Sequence, residues 1–341
     1  MSKRSVLAVP GSSEKMIQKA RLLNADEIFL DLEDSVSLPE KESARSLVIS
    51  ELNKGDFNSS SVAVRVNEQN QLIGIQDIKE LITKASSNFT SIIIPKVETP
   101  EQVTEICQRL TELELSLELN DQTKIQLQIE SARGLLNVAD IASACSRTIS
   151  LIFGPGDFAA SMGMQVLNIG ENPINYPGED AYHHVLFSIL TAARANGLLA
   201  IDGPFSDLGN ELGLKHRSQL SASLGYDGKW VIHPSQIEVV NSIFTPSKEV
   251  FEKSAKIIAH FNRSNTTEKS AGAFLFEGKM IDEATRKMAE MIYSKGIAAG
   301  LKPSMNGDDN GKAQSYLVQL CALPLSSPFI EGFKPAAIPF E

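Results

Sequence analysis

Cysteine is scarce: three among 341 residues, at positions 107, 145 and 321. An odd number at wide spacing gives neither a disulfide framework nor the CxxC pairs of a soft-metal site, so a reducing compartment is expected. Basic residues are outnumbered, 32 Lys and Arg against 42 Asp and Glu, for a formal net charge of −10. That balance opposes extended contact with a phosphate backbone or an anionic bilayer, so neither nucleic acid nor membrane is an expected partner. No apolar run reaches spanning length, and the first is cut by Pro10 and Gly11, too early for a secretory core. The cytoplasm is the expected location, or an organellar matrix if a transit peptide has been removed. A GxSxG elbow, a Walker loop and a Cys beside a plausible base are all missing, which argues against the corresponding hydrolase and nucleotide-triphosphate chemistries.

Hydrophobic residues make up 42% of the chain, enough for one large core. Eight short apolar runs recur, each followed by a longer amphipathic stretch: 5–10, 27–33, 61–67, 91–97, 124–130, 150–156, 198–203 and 229–233. Most are continuously hydrophobic rather than alternating, as strands covered on both faces are. Eight such units predict an α/β fold, a TIM (β/α)8 barrel over residues 1–263. A C-terminal module and tail then occupy 264–341, with an apolar run AFLFEGKMI and a helix EATRKMAEMIYSK after a polar linker. The connection 157–197 is long and carries a Gly/Pro/Asn-rich segment, which predicts a lid or wall.

Nearly every run ends on a polar residue that a buried strand would otherwise avoid. These are Glu33 and Asp34, Arg65, Lys96, Glu130, Asp157, Asp202 and His233. Strand C-termini of a (β/α)8 barrel surround the active site, so this register predicts acids and bases around one mouth. Single residues of this kind often cap helices; so many in register are better explained by a site. Glu130 and Asp157, on neighbouring units, are hard oxygen donors suited to Mg2+, or Mn2+, rather than a soft metal. Arg65 offers a planar fork for a carboxylate or a developing oxyanion, with Glu33 and Asp34 as charges that orient it. Lys96 reads as an ionic strut. His183 and His184, adjacent at a helix start, cannot both face one metal, and His233 reads as structural. The GPGD segment, 154–157, reads as a tight turn that points Asp157 inward.

Ten ordered segments then carry a resemblance. They are RSVLAVPGS, LDLEDSV, VRVN, IIIPKVE, IESARG, GPGDFAASMGMQ, IDGPFSDL, GKWVIHPSQI, FTPS and FEGKMID, together spanning nearly the whole chain. The chain resembles the citrate lyase β-subunit-like branch of the HpcH/HpaI aldolase superfamily, nearest its malyl-CoA/citramalyl-CoA lyases. The resemblance implies a trimer or hexamer of TIM barrels with C-terminal extensions, acting on CoA thioesters with Mg2+. It implies reversible carbon–carbon cleavage of a malyl-CoA-type thioester to acetyl-CoA and a 2-oxo acid, glyoxylate or pyruvate, through an acetyl-CoA enolate. Citramalyl-CoA or citryl-CoA cleavage, a malyl-CoA thioesterase or malate synthase activity, and a non-catalytic subunit are the alternatives. By the same resemblance Glu130 and Asp157 hold the metal, and Arg65, Gly156 and Asp157 bind the substrate. Glu33 and Asp34 orient Arg65 and metal-bound water, and Arg4, Pro10 and Lys19 contact CoA. Asp282, supplied by an adjacent subunit, exchanges the proton on the acetyl carbon.

Overall fold

The computed structural model describes residues 2–85, 87–264 and 273–304. They fall into two compact units, residues 1–245 and 246–341. In the first, eight parallel strands close into a barrel in chain order: β1 (Ser5–Pro10), β2 (Glu27–Asp31), β3 (Ser61–Arg65), β4 (Ser91–Ile94), β5 (Lys124–Ile129), β6 (Thr148–Phe153), β7 (Leu199–Asp202) and β8 (Gly228–Val231). Every predicted run overlaps one of these strands, although β6 and β8 begin two residues and one residue before theirs. The crossover helices are α1 (Glu14–Ala20), α2 (Lys41–Lys54), α3 (Leu72–Ala85), α4 (Pro100–Ser116), α5 (Ala132–Leu136), α6 (Val138–Ser143), α7 (Pro155–Ser161), α8 (His183–Ala195), α9 (Glu211–Leu224) and α10 (Ser235–Phe244). Among the described residues no helix is long and apolar enough to cross a membrane.

Local chemistry sets the helix starts. Thr99 and Gln102 form a reciprocal capping box ahead of α4 with Pro100 at its first position, and Val103, Ile106 and Leu110 recur at helical spacing on its buried face. The GPGD segment does not form a free turn. Pro155, whose fixed φ suits a first helical residue, starts α7 and puts Asp157 in its opening turn. His183 and His184 begin α8, both exposed. Between α7 and α8 the chain has no regular element and exposes Leu167 and Ile174.

Strand alternation sorts the inward side chains into tiers. The floor is polar: Glu27 Oε2 accepts from Lys3 Nζ (2.5 Å) and Ser61 Oγ (2.6 Å), while Gln126 Nε2 donates to Glu27 Oε1 (3.0 Å) and Ser91 Oγ (2.9 Å). Above it lies an apolar tier with Phe29, Ala63, Ile93, Ile152, Ile201 and Trp230. Two residues further along the strands come Asp31, Arg65 and Glu130, at the mouth.

The expectation that the cysteines stay unpaired is overturned. Cys107 on α4 and Cys145, just after α6, form a disulfide with Cα atoms 6.7 Å apart. They are 38 residues apart in sequence, and they meet because α4 and α6 pack side by side outside the barrel. Cys321 lies outside the described residues.

The second unit contains α11 (Lys248–Ser264), a hairpin of β9 (Ala273–Phe276) and β10 (Lys279–Asp282), and α12 (Glu283–Ala298). Glu277 and Gly278 make the hairpin turn with φ of +50° and +75°. The ring of Phe251 stacks on that of Tyr293 at 4.9 Å, tying α11 to α12, and a Cβ on Gly296 would come within 2.3 Å of Phe251. This packing places α11 in the second unit, so the division falls at 245/246 rather than at the 263/264 drawn from the polar linker.

Candidate active site

Arg65 ends β3 directly beside Asp31, which ends β2. The guanidinium is gripped in two places, Nε to Asp31 Oδ1 at 2.7 Å and Nη2 to Asp31 Oδ2 at 2.8 Å. Nη1 reaches Glu33 at 3.2 Å and Asp34 at 3.3 Å, and the group lies 5.4 Å from the Trp230 ring. Burial works against both charges of the Arg65–Asp31 pair, but their mutual attraction wins. Arg65 is held above, and Asp31 below, its ordinary titration range. Glu33 is different: burial, then its contact with Asp34, raise its carboxyl to about 7 against the pull of Arg65 and Lys96.

Lys96 follows β4 with a left-handed backbone, φ +51°, where a side chain is strained. That conformation serves two contacts. Its N–H donates to Glu130 Oε1 at 2.7 Å, while its Nζ bonds Glu33 at 2.8 Å and Glu68 at 3.0 Å. Burial opposes the ammonium charge, yet the hydrogen bonds it donates to Glu33 and Glu68 hold it above its usual range. Lys96 is therefore a strut between acids, as its position suggested.

Glu130 is nearly inaccessible, at 3% exposure, and its second oxygen accepts from Gln128 Nε2 at 2.5 Å. Burial, and next the charge of Asp157, push its carboxyl up to about 8. Two acids thus face one cavity of about 450 Å3, whose walls also include Glu68, Gln69, Lys96 and Arg109. An acid pair short of positive charge fits a divalent cation, which would favour the ionised Glu130. No group of three His, Cys, Asp or Glu among the described residues is placed to hold a metal. Two carboxylates with the remaining positions left to water and substrate oxygens suit Mg2+.

The structure brings together Glu33, Asp34, Arg65, Lys96, Glu130 and Asp157. Asp202 and His233 do not join them. Asp202 follows the inward Ile201, so it points outward and pairs in the buried layer with Lys229 at 2.7 Å; His233 Nδ1 contacts Ser235 Oγ at 2.8 Å. Pro10 ends β1 at the mouth beside Asp31, and Lys19 lies on the exposed face of α1. Arg4 is a correction: it precedes β1, at the opposite end of the barrel, where it bonds Asp26 at 2.8 Å and Thr245 at 2.8 Å. Gly156 lies beside Asp157, with the Ile169 side chain against it. Asp282, in the second unit, caps α12 through Oδ1, which accepts from Thr285 N and Oγ1, each at 2.9 Å.

Sequence reasoning missed Asp31, Glu68, Gln128 and Gly154. For Asp31 a signal existed, since opposite charges stand at the last position of two adjacent strands. Gly154 opens the GPGD segment, which signalled a tight turn but not the close approach of Glu130. A Cβ there would lie 2.5 Å from both Cβ and Oε2 of Glu130.

Comparison with known proteins identifies the family. The family described as HpcH/HpaI aldolase/citrate lyase matches residues 4–234. An L-malyl-CoA/beta-methylmalyl-CoA lyase of Cereibacter sphaeroides is 34% identical over 297 residues, covering 85% of this chain and 93% of that protein. The citrate lyase subunit beta of Leuconostoc mesenteroides subsp. cremoris is 32% identical over 291 residues, covering 85% and 92%. The crystal structure of CitE from Mycobacterium tuberculosis in complex with magnesium, acetoacetate and coenzyme A superposes with a TM-score of 0.67 at 28% identity, over 86% of this chain and 98% of that one. With its closed eight-stranded barrel and its match over most of the barrel unit, the chain belongs to the HpcH/HpaI aldolase/citrate lyase family.

Proposed function

We propose that this protein is a Mg2+-dependent lyase that reversibly splits a malyl-CoA-type 3-hydroxyacyl-CoA thioester into acetyl-CoA and a 2-oxo acid, glyoxylate or pyruvate. The observation that carries the reading is the pairing of Glu130 and Asp157 on one cavity, a few side chains from an Arg65 fixed by Asp31. Glu130 and Asp157 would hold the cation, which when bound acts as a Lewis acid toward carboxylate and hydroxyl oxygens of the substrate. Arg65 stabilises the oxygen that becomes the carbonyl of the departing 2-oxo acid, and Glu33 with Asp34 keeps Nη1 in place. Gly156, beside Asp157, leaves room for the substrate carboxylate. Pro10 at the mouth and Lys19 on α1 are the CoA contacts that the fold leaves available.

The acid/base is Asp282 of a neighbouring subunit in a homotrimer or homohexamer, the second unit of one chain completing the barrel of another. Its capping bonds, chiefly from the Thr285 backbone, hold its carboxyl below the usual range. It therefore stands ionised at neutral pH, as a base for the acetyl methyl proton in the condensing direction. The compartment we assign is the cytoplasm or an organellar matrix, against which the Cys107–Cys145 bond is the contrary observation; counting free thiols in protein isolated under alkylating conditions tests it.

The reaction is tested by incubating purified protein and MgCl2 with a panel of acyl-CoA donors and 2-oxo acids, read by mass spectrometry in both directions. Acetyl-CoA plus a 2-oxo acid supports the lyase, with the 2-oxo acid separating malyl-CoA, citramalyl-CoA and citryl-CoA substrates. Free CoA plus a hydroxy acid means a thioesterase or synthase outcome. No conversion of any pair refutes the enzymatic reading.

A further inference from the structure

The interior tier that contains Phe29, Ala63, Ile93, Ile152, Ile201 and Trp230 is apolar apart from the Trp230 indole N–H and the amide of Gln128, which stands in register with Ile152 on the adjacent strand. Folding alone gives little reason for an amide there. Gln128 is 3% exposed, and its Oε1 has no hydrogen-bond partner among the described residues. Buried carbonyls normally find a donor, and a hydrophobic side chain would avoid the deficit. The one side-chain bond that Gln128 makes among the described residues is from Nε2 to Glu130 Oε2, at 2.5 Å. Two neighbours accommodate that contact. Gly154 has no Cβ, and one there would lie 2.9 Å from Gln128 Nε2 and 2.5 Å from Glu130 Oε2. The strained Lys96 turns its N–H onto the other oxygen, Glu130 Oε1.

We propose that Gln128 is a positioning residue for the divalent-cation site: its Nε2 pins one Glu130 oxygen while the Lys96 N–H pins the other. The carboxylate is thereby set in one rotamer, with its remaining lone pairs free for the cavity it shares with Asp157 before the cation arrives. Either donor alone would leave the group free to rotate about its terminal bond; two opposed donors remove that freedom. This explains why an under-satisfied amide occupies an apolar tier and why residue 154 is glycine. The inference rests on the assignment of Glu130 and Asp157 as cation ligands.

The experiment is calorimetric titration of the metal-free full-length protein with MgCl2, alongside thermal unfolding in EDTA. Gln128→Met keeps the length of the side chain and removes the donor. We expect Mg2+ affinity to fall about 10- to 100-fold, the usual consequence of losing an outer-shell partner of a ligand. Stability in EDTA should change little, because the substitution removes one unpartnered buried atom, Gln128 Oε1, and leaves another, Glu130 Oε2. A residue with only a packing role would move the melting temperature and leave the affinity alone. Gln128→Asn, which keeps the amide and loses its reach, should weaken Mg2+ in the same way and serves if Gln128→Met does not fold. Glu130→Gln separates the two ideas. If Glu130→Gln still binds Mg2+ as the wild type does, the ligand assignment fails. If Glu130→Gln loses Mg2+ while either folded Gln128 variant keeps wild-type affinity, the positioning role is overturned.

Discussion

Replacing Glu130 by glutamine removes one negative charge from a buried position and preserves its shape. The new Oε1 still accepts the Lys96 N–H, and the new amide finds an acceptor if Gln128 flips, because Gln128 Oε1 is unpartnered. The wild-type carboxyl is pushed from the ordinary 4.5 up to about 8, first by burial and then by Asp157, which corresponds to at most about 5 kcal/mol. Because the folded protein holds this proton more tightly than the unfolded chain, the stability it contributes is fully present below pH 4.5. It is lost progressively as the pH rises through about 8. Glutamine has no such loss. In EDTA the variant should therefore gain on the wild type between pH 5 and pH 8, at roughly 2–4 °C of melting temperature per kcal/mol for a unit of this size. Glu33, raised to about 7, titrates in both proteins and changes stability in the same sense in each, so the difference between them reports chiefly on Glu130. Adding MgCl2 at pH 8 should raise the melting temperature of the wild type and leave Glu130→Gln unmoved, reversing their order at saturating metal. Thermal unfolding at the two pH values, with and without Mg2+, is the assay. A difference between the proteins that ignores pH, or equal stabilisation of both by Mg2+, refutes the charge argument.

Other perturbations have equally specific outcomes. Asp31→Asn leaves Arg65 buried without its full bidentate counter-charge; we expect a loss of about 3–5 kcal/mol in urea unfolding and a fall in kcat/KM, and unchanged stability would contradict the grip assigned to Asp31. Asp282→Asn keeps a good cap for α12, so melting temperature and calorimetric Mg2+ binding should hold while carbon–carbon turnover is abolished; near-normal turnover removes Asp282 from the chemistry. Cys107→Ser opens a loop of 38 residues and should cost about 4 kcal/mol without reductant, as dithiothreitol should in the wild type; insensitivity of both would show the bond absent in solution.

Much of the barrel was legible because its signals are local. Continuous Val/Ile/Leu runs mark strands buried on both faces, and Pro100 after Thr99 marks the start of a helix. The mouth was legible in part, since acids and bases stand where strands end. Reading ends alone nevertheless admitted Asp202, which alternation turns outward, and the CoA contacts carried over by resemblance included Arg4, which begins a strand instead of finishing one. Linear order alone determined the strand sequence, the residues available at each strand end and the ordered motifs of the family. Tertiary structure decided which of those residues meet. Asp31 grips Arg65 through strand register, Cys107 reaches Cys145 through helix packing, and Gly154 makes room for Glu130 and Gln128 across two strands. Each of those contacts joins residues separated by 24 or more positions, and a linear pattern specifies composition along the chain but not distances between such residues.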